Sequence, residues 1–478
     1  MIVLKFVAIV GLIFAMGAAA LCVLTARHRP TAILGVLGLA PGLGIGLIGL
    51  GTFYLAYWRV PLTEGTAWTF AGGLLLGLIG LNAALRRKEV SGTWQVVRPK
   101  RIQPLQPFEV LLILLITAGC LLVFVESLTQ PTLGFDARAI WGMKAKVIGT
   151  YGQIYGEDFL DRDRLHAKQR YPLGLPVALG FMYQLAGGFD ERLGRVTYAL
   201  LFLALGFFFF GSLRRYLSRT GALIGTCILS TLPAFTIFAN GGAASGYSDV
   251  PLTYFYCVLV VSLFNWVWQR QFADLALATA FGIFTLFAKN EGLALWGIAF
   301  VCYSYCSGFR PRRLWALFAS LSLAALLPWF SYQSHLPNLE EDFFRLLTPL
   351  NLAAGLDRLP YLLKSFLKEF LLRPHLWSLL GPGLVLAFGV APKRALREPH
   401  SVFLWIALLY SVFALMIYLV IPWKMEDLVP VSLTRLLMPL SPLLVFWMLL
   451  QAKVTGLLPE AWSQPESPAQ EKCPAQEP

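Results

Sequence analysis

Four short stretches of this chain place residues capable of chemistry beside apolar runs. The first is Gly134-Phe135-Asp136-Ala137-Arg138-Ala139-Ile140-Trp141, followed by Lys144 and Lys146. Asp136 would serve there as a general base, or as the cap of a helix that sets Asp136, Ala139 and Ile140 on one face. The second is Lys168-Gln169-Arg170-Tyr171-Pro172. Two cations ahead of a membrane-hugging helix suit a lipid-linked phosphate, which Arg grips bidentately and Lys meets as a point charge. Anchoring to anionic headgroups would use the same residues. The third is the small-residue loop from Asn240 to Ser248, with Asp249 and Pro251 opening the next apolar run. Asp249 suits an N-cap as well as a site. The fourth is Lys289-Asn290-Glu291-Gly292 between two apolar runs. A tight helical hairpin needs polar turn residues, but a Lys and a Glu together at a membrane edge are expensive, which makes them functional candidates.

The elements that must position these residues follow from composition. The chain has 478 residues, 57% hydrophobic and only 14% charged, where a soluble domain carries about 25% charge. This excludes a soluble enzyme, a disordered protein and a nucleic-acid binder. Apolar runs recur along nearly the whole length, and the pattern reads as an all-α polytopic membrane protein with about thirteen transmembrane helices. The runs fall at about 3–24, 31–57, 66–85, 108–126, 194–213, 221–239, 250–268, 272–288, 291–306, 314–332, 376–391, 401–421 and 436–451. The net charge of +13 belongs to the loops between them. Loops 25–30, 86–101, 214–219, 269–271, 307–313 and 392–400 hold 18 Lys and Arg, against 4 in the alternate short loops, so the first set is expected to be cytoplasmic. That assignment requires Tyr171 to Gly188, with Pro172 and Pro176, to lie at the interface rather than cross. All four candidate stretches then face the extracytoplasmic side. So do two large loops, 126–192 and 332–375, and the second carries Glu340, Glu341, Asp342 and an amphipathic stretch around Leu359 to Leu372. The tail 452–478, rich in Pro, Glu and Gln, reads as disordered and cytoplasmic.

In their order, these stretches resemble the GT-C superfamily of integral-membrane glycosyltransferases, in the branch of protein O-mannosyltransferases and lipid A aminoarabinose transferases. The residues that carry the likeness are the acidic Gly134 to Trp141 stretch and Gln169-Arg170-Tyr171-Pro172-Leu173. With them go the basic turn Arg214-Arg215-Tyr216-Leu217-Ser218-Arg219, the span opening Ser248-Asp249-Val250-Pro251-Leu252 and the turn Lys289-Asn290-Glu291-Gly292. The likeness covers residues 105–310 well and 311–450 in general layout, so that 105–451 is expected to be a catalytic domain and 1–104 to supply extra N-terminal helices. Here Asp136 is followed by Ala137, where the commonest family form has two adjacent acidic residues. What the resemblance implies is transfer of a sugar from a polyprenyl-phosphate-linked donor to a lipid, glycan or protein acceptor, at the outer face of a membrane such as the bacterial inner membrane. Asp136 is the expected base, and Asp249 would orient the acceptor or help hold a metal. Lys168, Arg170 and Lys289 would hold the donor phosphate, the choice between Lys168 and Arg170 staying open. Arg138, Lys144, Tyr171, Asn290 and Glu291 would support them.

A divalent metal is the one cofactor the sequence leaves open. Asp161, Asp163 and His166 offer ligands in one stretch, although Arg162 and Arg164 interleave with them and favour a solvated charged segment. The seven cysteines form no pair in any exported loop. Three rival functions remain, of which a scaffold without catalysis would tolerate loss of all four stretches. A transporter or lipid flippase would place polar residues at mid-span, where this chain has almost no charge. An O-antigen ligase or polymerase would carry Arg and His in a late exported loop, as Arg345, Arg358, Arg373, His335 and His375 stand here.

Overall fold

The computed structural model describes residues 2–25, 33–87, 104–161, 168–337 and 346–463. Every regular element among them is helical. The long helices are α1 (Ile2–Leu24), α2 (Ile33–Tyr57), α3 (Glu64–Arg87), α4 (Pro107–Thr129), α5 (Met143–Tyr151), α6 (Gly174–Ala186), α7 (Glu191–Leu213), α8 (Arg219–Ser230), α9 (Asp249–Gln269), α10 (Phe272–Ala288) and α11 (Glu291–Cys306). They continue as α12 (Arg312–Ala324), α13 (Leu327–Gln333), α14 (Leu359–Leu371), α15 (Leu380–Val390), α16 (Ser401–Val420), α17 (Met425–Leu437) and α18 (Ser441–Val454). Among the described residues, nine helical stretches are long and apolar enough to cross a membrane. The chain is therefore an all-α polytopic protein, as its composition predicts.

Helix α9 is the hub. It is apolar all round, and every residue from Asp249 to Val267 is buried, as befits a helix wrapped by others. Helices α7, α10, α11 and the α17–α18 pair surround it. By contrast α4 buries one side only and exposes Leu111, Leu114 and Leu121, the surface a helix turns toward lipid. Residues of α1, α2 and α3, such as Met16, Phe53 and Ala71, belong to the same continuous core as α9. The extra N-terminal helices therefore pack as part of the bundle.

Three expected runs end differently, each for a local reason. The run 221–239 stops as a helix at Ser230, because Leu232 precedes Pro233 and a residue before proline avoids the α region. The run 376–391 is interrupted at Ser378, whose φ of 49° breaks the helix. The run 436–451 starts much earlier, at Met425, and passes through a tight turn at Met438–Leu440 into α18. The stretch Tyr171 to Gly188 forms α6, only 13 residues long. At about 1.5 Å per residue it spans roughly 20 Å, short of a bilayer core. It is not a surface-lying helix, however. Leu175 to Tyr183 are all buried, packed against α2, α3, α5 and α10.

Charged contacts gather at the two ends of the bundle. At one end, Arg219 grips Glu109 at 2.6 Å and Arg215 reaches Asp274 at 3.5 Å. At the other lie the four candidate stretches.

Candidate functional site

The site assembles on helix termini. After α4 the chain turns at Gly134 and enters a six-residue π-helical turn, Ala137–Gly142, which leads into α5. Such turns are rare and occur often at functional sites. Asp136 stands just before it, and its carboxylate makes no capping hydrogen bond. The carboxylate turns instead to Arg435 on α17, whose Nη1 donates to Asp136 Oδ2 at 2.7 Å.

Arg435 also reaches Asp249. Its Nε donates to Asp249 Oδ2 at 3.1 Å. The other oxygen, Asp249 Oδ1, accepts from Lys289 Nζ at 3.0 Å. Lys289 in turn meets Glu291 Oε1 at 2.9 Å. The result is a continuous chain, Asp136–Arg435–Asp249–Lys289–Glu291, that joins the first, third and fourth candidate stretches. Local sequence explains why the parts fit. Asp249 opens α9, where the helix dipole favours a negative charge, and Pro251 sits in the first turn, where no backbone N–H is needed. The α10–α11 hairpin is tight enough that a Cβ on Gly292 would lie 2.0 Å from the Thr285 carbonyl oxygen. The loop from Asn240 needs small residues for Arg435 to pass, since a Cβ on Gly241 would sit 2.8 Å from Arg435 Cγ. The guanidinium lies over the Tyr247 ring, 4.4 Å from its centroid. Arg195, buried on α7, holds this loop in place. Its Nε and Nη2 donate to the Ala244 carbonyl and Nη2 donates also to the Glu126 carbonyl.

The charges in this chain are unequal in access. Asp249 is 1% exposed at its side chain and both its oxygens are engaged. Asp136 is 26% exposed, and among the described residues its Oδ1 takes no hydrogen bond. Glu291 Oε2 is buried and has no hydrogen-bond donor. Three carboxylates face two cations here, leaving one net negative charge in a low-dielectric setting, where paired charges hold strongly and unpaired ones are costly. A carboxylate with one oxygen fixed and the other open to solvent can accept a proton from a hydroxyl.

The second stretch lies against the first. Tyr171 stacks on Trp141, with centroids 5.7 Å apart. Lys168 Nζ sits between two rings, 5.7 Å from the Tyr171 centroid and 5.2 Å from that of Trp423. Its backbone, at φ 45°, is left-handed, a strained setting for a non-glycine residue. Lys144 holds that turn. Its Nζ donates to the Lys168 carbonyl at 2.7 Å, and full burial pushes the ammonium down to about 7. Lys144 is thus turned to backbone oxygens, not toward a ligand. Arg170 is tied through its carbonyl to Gln333 Nε2 at 3.0 Å. Arg138 is exposed and pairs with none of these carboxylates. Asn290 forms the α10–α11 turn and supplies no side-chain cap. Among the described residues no group of His, Cys, Asp and Glu is arranged to hold a metal, while Asp163 and His166 lie outside them.

Arg435 is the member the sequence reading passes over. It ends a segment with Glu426, Asp427 and Pro430 that reads as a loop, and its partner Asp136 is 299 residues away. A single arginine bordering an apolar run was the only signal. Glu369 is a second such residue: buried on α14, it accepts from Trp377 Nε1 and from Thr434 Oγ1 and pairs with Arg373 at 3.0 Å. No family model matches this chain, and no curated protein or solved structure matches it.

Proposed function

We propose that this protein transfers a sugar from a polyprenyl-phosphate-linked donor to an acceptor hydroxyl at the extracytoplasmic face of a membrane. The observation that carries the reading is the Asp136 carboxylate, fixed on one oxygen by Arg435 and open on the other, in a stretch whose Trp141 stacks on Tyr171 of the Lys168–Arg170 stretch. In this reaction Asp136 Oδ1 takes the proton of the acceptor hydroxyl as its oxygen attacks the anomeric carbon. The bond from that carbon to the phosphate oxygen breaks on the opposite face, so the anomeric configuration inverts and polyprenyl phosphate leaves. Lys168 and Arg170 meet the charge that builds on the phosphate. Asp249 and Lys289, engaged with each other and with Arg435 and Glu291, act as the buried counter-ions that set the position of Arg435. A lipid-borne donor needs no nucleotide-binding domain, in keeping with described residues whose regular elements are all helices, nine stretches of them long and apolar enough to cross a membrane. The fuller picture is a GT-C-like bundle of about thirteen passes, of the bacterial inner-membrane kind, with the basic end in the cytoplasm.

The test is turnover of short-chain polyprenyl-phosphate sugars by purified protein. Asp136→Asn should lower the rate about 10²–10⁴-fold while costing about 1 kcal/mol or less in stability. Wild-type turnover in the variant removes Asp136 from the mechanism. Absence of turnover in the unsubstituted protein across a panel of donors and acceptors removes the transferase reading.

A further inference from the structure

Helix α14 lies outside the site just described but is joined to it by a buried hydrogen bond. Its inner side carries Leu362 and Glu369, both buried. Its outer side carries Leu363 and Leu367, the latter 63% exposed, one turn apart and in line with the exposed Leu356. Lys364 and Lys368 are exposed along the edge of that apolar strip. An exposed apolar strip edged by lysines is the pattern of a helix lying in the plane of a bilayer surface, with leucines in the acyl region and ammonium groups among phosphates. The neighbouring helix α15, against which α14 packs, exposes Val385 and Leu386, so the apolar surface continues from one helix to the next.

The inner side points to a consequence. Glu369 accepts a hydrogen bond from Thr434, the residue immediately before Arg435. Thr434 and Glu369 are both buried, and Arg373 and Trp377 fill the remaining positions around the carboxylate. A shift of α14 relative to α17 therefore acts on the backbone that carries the Arg435 clamp.

We infer that α14 is a lipid-docking element that seats on an anionic phospholipid surface through Leu363, Leu367, Lys364 and Lys368, and that Glu369 transmits this seating to Arg435. The partner is the headgroup layer of the bilayer itself, chosen by the two lysines that flank the apolar strip. Glu369 is a positioning residue. The inference goes beyond the transferase reading and does not depend on it, because any chemistry at Arg435 would be affected in the same way.

The experiment uses the full chain in nanodiscs of phosphatidylcholine, with or without phosphatidylglycerol. A bimane label on Leu367→Cys, in a Cys306→Ser, Cys473→Ser background, should be quenched by brominated acyl chains and shielded from aqueous iodide. Hydrogen exchange of residues 425–437, read by mass spectrometry, should slow when phosphatidylglycerol is added. That response should be lost in Lys364→Gln/Lys368→Gln. It should also be lost in Glu369→Met, which deletes the acceptor of the Thr434 hydrogen bond, while the bimane label there stays quenched by lipid. If Glu369→Met does not fold, Thr434→Val removes the same hydrogen bond from the other side and should show the same loss. Quenching by iodide in place of lipid overturns the docking. A lipid response that is absent in the unsubstituted chain, or kept in the lysine, Glu369 and Thr434 variants, overturns the coupling.

Discussion

Removing the guanidinium of Arg435 should damage the fold more than removing any exposed charge, and the structure gives the size of the effect. Arg435→Met keeps an unbranched stem against Gly241 but deletes the bridge between Asp136 and Asp249. Asp249, 1% exposed, keeps only Lys289. Losing one partner of a buried pair typically costs about 3–5 kcal/mol, because a charge is left uncompensated. Asp136 is a quarter exposed, so water replaces its lost partner at a cost of about 1 kcal/mol or less. The Asp249 half therefore dominates. Adding Asp249→Asn removes the uncompensated charge, and the two penalties should fall short of additivity by about 1–3 kcal/mol. The assay is reversible unfolding in mixed micelles, followed by circular dichroism, for the two single variants and the double. If Arg435→Met lies within about 0.5 kcal/mol of the unsubstituted protein, or the penalties simply add, the clamp is not a stabilising bridge and the reasoning fails.

Three further outcomes follow from the same geometry. Lys168→Gln/Arg170→Gln should weaken binding of a short-chain polyprenyl phosphate and also slow transfer; unchanged affinity with altered membrane insertion would assign the pair to anchoring instead. Lys144 is held well below its ordinary 10.5, near 7, so the unfolded chain binds the proton more tightly than the folded one, and its contribution to stability rises as pH increases between those values. Lys144→Met should therefore flatten the rise in unfolding midpoint over that range, and an unchanged pH profile would show that the ammonium is not desolvated. Cysteine labelling of intact cells should modify Leu133→Cys from outside and Gln271→Cys only after permeabilisation, both positions being exposed; the reverse pattern inverts the proposed topology.

Much of the architecture is legible in the residue string because membrane helices announce themselves by uninterrupted apolar length. The four chemical stretches are legible too, since a charge beside such a run stands out. What is not legible is pairing at a distance. Arg435 sits where Pro430 and two acidic residues dilute the apolar signal, so α17 reads as loop and its arginine as one more loop charge. The burial of α6 could not be read either, because two prolines and a length of 13 residues fit a surface helix as well as one enclosed by neighbours. Lys144 looks like a phosphate ligand by type, yet its position beneath the Lys168 turn makes it a support for backbone oxygens. Asp136 and Asp249 look alike as isolated acidic residues, and only their different exposure and partners separate a partly exposed carboxylate from a buried, doubly paired one.

Sugar transfer by this protein is tested most directly by lipid and glycan mass spectrometry of cells that carry the gene, lack it, or carry Asp136→Asn. Cells lacking the gene should accumulate a polyprenyl-phosphate sugar and lose one glycosylated product, and Asp136→Asn should reproduce both changes at normal protein abundance. Identical lipid-linked sugars and glycans in all three would contradict sugar transfer.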